Sequence, residues 1–342
     1  MTDSPDALLT VPPPDLSDAA CTALARDHFG LTGSITRLTS ERDLNLRLTG
    51  AQGDFVVKIA NAAEPPAQTR FQNRALIHIA QRNPALPVPR VITARDGGSQ
   101  VALPGGETLR VLSWLDGEPL HRAPRSAAQR RAMGAMLAGL AVALQDFTDP
   151  AADHDLLWDI RHAPRLRALL PHVADAGLRD LAARVLDRFD ESVVPVLPGL
   201  RWQVVHNDLN PHNVLVDVAN PDRVAGVLDF GDMVRTPLVC DIGVAGAYQV
   251  GTDTPLLALA DFTAGYHAVN PLTATELALM FDLVAARMVT TIAITSWRAA
   301  RYPGNAAYIL RNFAAARDGL RAFATLSPET ARRTLFRACG ME

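Results

Sequence analysis

The segment His206-Asn-Asp-Leu-Asn-Pro-His-Asn213 carries an Asp and, five residues on, an Asn, and sixteen residues after Asn213 comes Asp229-Phe-Gly-Asp232. Hard oxygen donors of this kind suit Mg²⁺, which is bound by one or two protein groups together with substrate phosphates. Phosphoryl transfer also needs a carboxylate that orients the attacking hydroxyl and takes its proton. Asp208 fits that base, and Asn213 and Asp229 fit the metal ligands. A lone Asp or Asn in a loop is ordinarily a turn or cap residue; the joint spacing is what turn chemistry does not explain. Asp232 reads equally as a metal or substrate contact and as a turn residue. His212 reads as packing or solvent-facing.

The other cation this chemistry requires is conspicuous by number. Of 33 Lys and Arg residues, 32 are Arg and one is Lys58, within Gly53-Asp-Phe-Val-Val-Lys-Ile-Ala60. An ammonium is a compact point charge that suits a phosphate, where a guanidinium presents a broad planar fork. Lys58 therefore reads as a phosphate contact borne on a strand.

The elements that must position these groups are legible in outline. The spacing predicts a helix over Asp18–Phe29 stopping at Gly30, strands within Ile35–Leu48 and over Phe55–Ala60 with polar turns between, and an amphipathic helix over Gln68–Gln81. Asn83-Pro-Ala-Leu-Pro-Val-Pro89 stops that helix. Strands are predicted around Val88–Thr93 and Thr108–Trp114. Beyond Gly117 the chain turns helical, over Ser126–Phe147 and Asp180–Val196. Short strands follow at Gln203–Val205, Val214–Val216 and Val224–Leu228, and helices again from Pro237. Thr273-Ala-Thr-Glu276 predicts a capping box ahead of the stripe Met280, Phe281, Val284, Met288 and Ile292, which reads as core. A strand-rich first third thus joins a mainly helical remainder near 111–117. Residues 1–15, with Pro12-Pro13-Pro14, read as a loose arm.

Composition narrows the partners. The chain has 342 residues, 48% hydrophobic and 20% charged, with net charge −3. That balance gives no reason to expect nucleic acid or an anionic membrane as partner. Cys21, Cys240 and Cys339 lack metal-type spacing and suit a reducing compartment. No signal peptide and no uninterrupted apolar run of about 18 residues is visible, so the cytoplasm is the expected location.

Taken together, the strand lysine, the His-x-Asp-x-x-x-x-Asn loop and the Asp-Phe-Gly motif resemble the kinase signature. The loop opens His-Asn-Asp, Asn210 stands where protein kinases usually have Lys, and no Ala-Pro-Glu segment follows. The chain therefore resembles the aminoglycoside phosphotransferase and choline kinase superfamily, from about Ile35 to Tyr308. Within it, Asp229-Phe-Gly-Asp-Met-Val-Arg-Thr-Pro-Leu-Val-Cys-Asp-Ile-Gly-Val-Ala245, Leu157-Trp-Asp159 and Ser296-Trp-Arg298 are most similar to the hydroxylysine kinase branch. The resemblance implies an α+β, bilobal, protein-kinase-like fold. Its small antiparallel-sheet N-lobe would span 1–110, its hinge 111–117 and its larger, mainly helical C-lobe 118–342. It implies that Ser113 and Leu115 offer backbone groups to the base of ATP or GTP. It also implies that the turn Ser40-Glu-Arg-Asp-Leu-Asn45 covers the phosphates and that His206 braces the catalytic loop. The implied reaction passes the γ-phosphate of ATP or GTP, with Mg²⁺, to a hydroxyl of an amino acid or amino alcohol.

One position departs from the kinase pattern. The helix residue that would pair with the strand lysine is Gln72, an amide that can accept a hydrogen bond from Lys58 but not form the ion pair. Glu64 lies nearby in a Pro-flanked loop. The departure keeps a nucleotide-binding pseudokinase in view, besides an aminoglycoside, choline, ethanolamine or homoserine kinase. For the small amine or amino-acid substrate, Trp158, Asp159, Tyr248, Trp297 and Arg298 are candidates: acids and aromatics for an ammonium, Arg for a carboxylate. The tryptophans read equally as core. Asp241, ahead of an apolar run, reads as an N-cap or as a functional group.

Overall fold

The structure, a computed structural model, describes residues 13–40, 43–251 and 253–341. Most of the expected N-terminal arm lies outside the described residues, as do Glu41 and Arg42 of the phosphate-covering turn. Helix α1 (Asp18–Phe29) begins where the Ser17 side chain accepts from the Ala20 N–H. It ends at Gly30, whose φ of 72° needs no side chain in the way. Strands β1 (Ser34–Leu38), β2 (Leu44–Gly50), β3 (Gly53–Ala60), β4 (Val101–Ala102) and β5 (Thr108–Ser113) form one antiparallel sheet in the order β1-β2-β3-β5-β4.

Alternation along these strands divides their side chains between two faces. Leu46, Leu48, Val57, Ile59, Leu109 and Val111 form a small core with Cys21, Ala25 and Phe29 of α1. The opposite face carries a row fixed by register, Asn45 opposite Lys58 and Lys58 opposite Arg110. The predicted strand at Val88–Thr93 is reduced to a single bridge, Val91 to Leu112. Pro87 and Pro89 have no N–H to give a ladder, and the Arg90 N–H goes to Ser113 Oγ at 2.8 Å.

Helix α2 (Pro66–Arg82) follows β3 but buries Phe71, Ala75, Leu76 and Ile79 in the larger core, where Phe71 stacks on Phe147 at 6.1 Å. Its polar residues Gln72 and Asn73 reach back to the sheet. A boundary at 110 thus separates α2 from the core it helps to fill. Beyond β6 (Glu118–Pro119) lie α3 (Ala127–Ala143), a 3₁₀ segment at Ile160–His172 and α4 (Ala176–Ser192). Pro164 and Pro171 interrupt α-periodicity in the 3₁₀ segment.

Strand β7 (Trp202–Val205) pairs with β10 (Val234–Pro237), and β8 (Val214–Val216) with β9 (Val224–Val227) and β6. The His206–Asn213 loop therefore spans β7 to β8, and the Asp229–Asp232 turn spans β9 to β10. These loops meet side by side, with the Leu228 N–H on the Asn213 carbonyl at 2.8 Å. Asn207 and Asp229 take φ of 64° and 55°, a strained region that Asn and Asp tolerate better than most.

Helices α5 (Leu238–Ala247), α6 (Pro255–His267), α7 (Ala274–Arg301), α8 (Ala306–Ile309), α9 (Phe313–Phe323) and α10 (Pro328–Ala338) complete the large lobe. The capping box at Thr273 and Glu276 is formed. Helix α7 has the length and mean hydropathy to cross a bilayer. Its apolar stripe is instead buried in the protein, and the charges set within that stripe, Asp282 and Arg287, pair with Arg188 and Asp208.

Candidate active site

A cleft of about 530 Å³ runs between the polar face of the sheet and the loops after β7 and β9. Lys58, Asn45, Ser40, Gln72, Asp208, Asn213, Asp229, Asp232, Trp158, Tyr248 and Arg298 all line it, so residues up to 258 positions apart in the chain share one space.

On the sheet side, Lys58 Nζ lies 3.9 Å from Asp43 Oδ2, and both side chains are mostly buried. Ser40 Oγ accepts from the Asp43 N–H at 3.3 Å, which ties the turn to that carboxylate. Gln72 is placed differently from expectation. Its Oε1 accepts from the Arg110 guanidinium at 2.5 Å, and Asn73 Oδ1 takes another guanidinium N–H at 3.0 Å. The fork of Arg110 reaches two acceptors on α2 at once, and the cation opposite it in register, Lys58, turns to Asp43. Glu64 lines the cleft and accepts from Thr69 Oγ1 at 3.0 Å. Ser113 does not line the cleft. Its N–H is committed to the Arg90 carbonyl at 2.8 Å and its Oγ to the Arg90 N–H, so it secures the edge of the sheet. Leu115 also lies off the cleft lining, packed toward Gly226 of β9.

On the loop side, Asp208 is the hub. Its Oδ2 accepts from Asn213 Nδ2 at 2.8 Å and Asn210 Nδ2 at 2.9 Å, and its Oδ1 from Arg287 at 2.9 Å. Burial pushes the Asp208 carboxyl up to about 7; Arg287 opposes that rise, and the nearby Asp232 and Asp229 reinforce it. Arg287 is itself anchored, donating to Tyr248 Oη at 3.1 Å and the Trp158 carbonyl at 3.4 Å, with the Trp158 ring 5.1 Å from Cζ.

The loop is braced from below. His206 Nε2 lies 3.0 Å from the Leu228 carbonyl, its Nδ1 accepts from the Asp208 N–H at 3.2 Å, and Phe230 meets the ring edge-on at 4.8 Å. Asp241 is not an N-cap: Pro237 holds that position, and Asp241 lies within the first turn of α5. Its Oδ1 accepts from the N–H of Asn207 at 2.7 Å. Burial is the main reason its carboxyl is pushed up to about 6.

Two other candidates fall outside the cleft. Asp159 is 1% exposed and caps the 3₁₀ segment, accepting from Thr236 Oγ1 at 3.0 Å and pairing with Arg161 at 2.8 Å. Trp297 is not among the lining residues. The residues that sequence reasoning missed are Asp43, Arg110, Arg311 and above all Arg287. The signal for Arg287 was present: a guanidinium inside an apolar helical stripe demands a buried acid.

The donor set fits a divalent cation held partly by phosphates. Asn213 spends its Nδ2 on the Asp208 carbonyl and carboxylate, which leaves its Oδ1 out of those bonds, and Asn213 and Asp229 both line the cleft. Among the described residues no cluster of three or more His, Cys, Asp or Glu forms an all-protein cage, and Mg²⁺ in kinase-like sites does not need one.

A five-stranded sheet over a helical lobe, with an Asp-Asn-Asp set facing a strand lysine, defines a kinase-like fold. A model of the phosphotransferase enzyme family matches residues 34–279, and the chain belongs to that family. It is a phosphotransferase with an alcohol group as acceptor. It is 27% identical over 326 residues to a hydroxylysine kinase of Mus musculus, covering 87% of this chain and 86% of that one. It is 26% identical over 332 residues to a hydroxylysine kinase of Danio rerio, covering 90% of each. Among solved structures, a microcompartment-associated aminopropanol kinase superposes with a TM-score of 0.68 at 20% identity, over 94% of this chain and 99% of that one. An amicoumacin kinase solved with AMP-PNP and Ca²⁺ gives 0.62 at 15% identity, over 83% of this chain and 88% of that one.

Proposed function

We propose that the protein transfers the γ-phosphate of ATP or GTP to a hydroxyl of a small amino acid or amino alcohol, hydroxylysine being the leading acceptor. The observation that carries this reading is Asp208, held by Asn213 and Arg287 and facing Lys58 across one cleft. Oδ1 bears one hydrogen bond and retains a lone pair for the acceptor hydroxyl. Burial raises the proton affinity of that carboxyl, which favours its taking the proton from the hydroxyl. The acceptor oxygen bonds to the γ-phosphorus, the bond to the β,γ-bridging oxygen breaks, and the proton passes to Asp208. Lys58 supplies positive charge to the phosphates. Asn213 and Asp229 would hold Mg²⁺, which neutralises charge developing on the transferring group.

The hydroxylysine kinases are alike over most of their length, and the acceptor side of the cleft supports a substrate of that kind. Arg122, Arg298 and Arg311 line the cleft along with Asp208, Asp229 and Asp232, a mixed lining that suits an ammonium and a carboxylate together, whereas a polycationic aminoglycoside requires a predominantly acidic wall. The test is a transfer screen with Mg²⁺ and ATP or GTP, offering hydroxylysine, ethanolamine, choline, homoserine and an aminoglycoside. Turnover lost in both Lys58→Ala and Asp208→Ala supports the reading. Tight nucleotide binding without transfer to any alcohol would instead favour a pseudokinase.

A further inference from the structure

A second cavity, of about 440 Å³, opens off the acceptor side of the cleft. His121, His212, Tyr248 and Arg311 line both spaces, so the two adjoin. Tyr248 also bonds the Arg287 that holds Asp208, so the mouth of the second cavity is two hydrogen bonds from the proposed base.

Its charge is one-sided. Arg125, Arg130 and Arg311 line it, with the imidazoles of His121 and His212 tilted at 35° and their centroids 4.2 Å apart, and no Asp or Glu lines it among the described residues. Arg125 meets the neutral amide of Gln249 rather than a carboxylate. Arg130 Nε is buried without a hydrogen-bond acceptor among the described residues. Arg311 donates to the Tyr308 carbonyl at 3.2 Å and lies over that ring at 4.0 Å. Burial, with Arg130 adding repulsion, pulls the Arg125 guanidinium down to about 10. Half-buried cations without an opposing charge lose solvation, and an anion that enters offsets that loss through charge-assisted bonds.

From this geometry, and resting on the phosphotransfer reading above, we infer that the second cavity is the subsite for the carboxylate of an amino-acid acceptor, with Arg125 and Arg130 as its recognition groups. A guanidinium fork matches a carboxylate in two parallel bonds. The remainder of the substrate would then extend past Tyr248, bringing its hydroxyl toward Asp208. The enzyme would on this basis select amino acids over amino alcohols.

The test compares hydroxylysine, its carboxamide and the decarboxylated hydroxydiamine as acceptors, with the unaltered protein and with Arg125→Gln and Arg130→Gln. The expected result is that the unaltered enzyme prefers the amino acid at least about tenfold in kcat/KM. That preference falls about tenfold in each variant through the amino-acid KM, while the nucleotide KM stays within about twofold. Transfer to all three acceptors without preference overturns the subsite while leaving the phosphotransferase intact. So does a preference that survives both substitutions. Because the three acceptors are compared on the unaltered protein, a variant that fails to fold does not rescue the proposal. Absence of transfer to any hydroxyl compound defeats the phosphotransfer reading itself, and the subsite falls with it.

Discussion

The two walls of the cleft hold their charges by opposite means. On the sheet wall, Lys58 and Arg110 stand opposite each other in register, a like-charge arrangement that destabilises a strand pair unless something offsets it. Arg110 is held by the amides of Gln72 and Asn73, which fix its position and leave its charge in place. On the loop wall, Asp208 is bound by a buried guanidinium and two amides, and Asp241 by a backbone N–H. Those groups limit the conformations of each carboxylate. Strand register therefore gathers positive charge on the wall proposed to meet the phosphates, whereas a hydrogen-bonded loop fixes the proposed base. In this light, Gln72 is less a damaged ion-pair residue than one that holds Arg110 while Lys58 turns to Asp43.

The most severe way to break the comparison is Asp208→Asn. It keeps the shape and loses the proton acceptor, so kcat should fall by about 10³-fold with the nucleotide Kd little changed. Unaltered kcat in a single-turnover assay would remove Asp208 from the chemistry. Next comes Arg287→Gln, which leaves Asp208 without its charged partner. It should cost about 3 kcal/mol of unfolding free energy in urea denaturation, together with about a hundredfold in kcat. A variant as stable as the parent would show the pair to be dispensable.

Gln72→Glu sharpens the contrast. If the carboxylate takes the Arg110 guanidinium as the amide does, positive charge on the sheet wall is partly neutralised and the nucleotide KM rises about tenfold, with the acceptor KM unmoved. A fall in nucleotide KM would show instead that the position serves Lys58.

The smallest expected effect concerns Asp241. Its folded-state carboxyl sits near 6, above the value of about 3.9 in an unfolded chain. The folded state thus binds the proton more tightly, and its contribution to stability is full below about pH 4 and lost as pH rises through about 6. Asp241→Asn keeps an acceptor for the Asn207 N–H and should flatten that part of the stability profile. A profile of unaltered slope between pH 4 and 6 in thermal unfolding would place the effect elsewhere.

Much of this was legible beforehand. Helix α1 ended at Gly30 and the Thr273 capping box formed because both are decided within a few residues. Strands β2, β3 and β5 followed from β-branched and alternating runs. Where reading failed, a local rule met a non-local competitor. Val88–Thr93 has strand-like residues, but Pro89 and the preceding Pro87 leave too few donors for a ladder. Asp241 has a cap-like position in the sequence, but α5 starts earlier, after Pro237, and turns the side chain toward the Asn207 N–H. Asp159 was attractive beside Trp158, yet adjacent residues parted company, one to the cleft and one to a buried cap.

The sequence by itself determined the side chains available: one lysine on a strand, the Asp208, Asn213 and Asp229 set on two loops, and the helices and strands that carry them. These depend on residue type and short-range periodicity, which folding does not alter. The tertiary structure decided the partners. Asp208 found Arg287 79 residues away, Gln72 found Arg110 at 38, and Asn207 found Asp241 at 34. Which donor reaches which acceptor depends on strand register and on how helices pack, and a shift of one residue or one helical turn would have paired each of them differently.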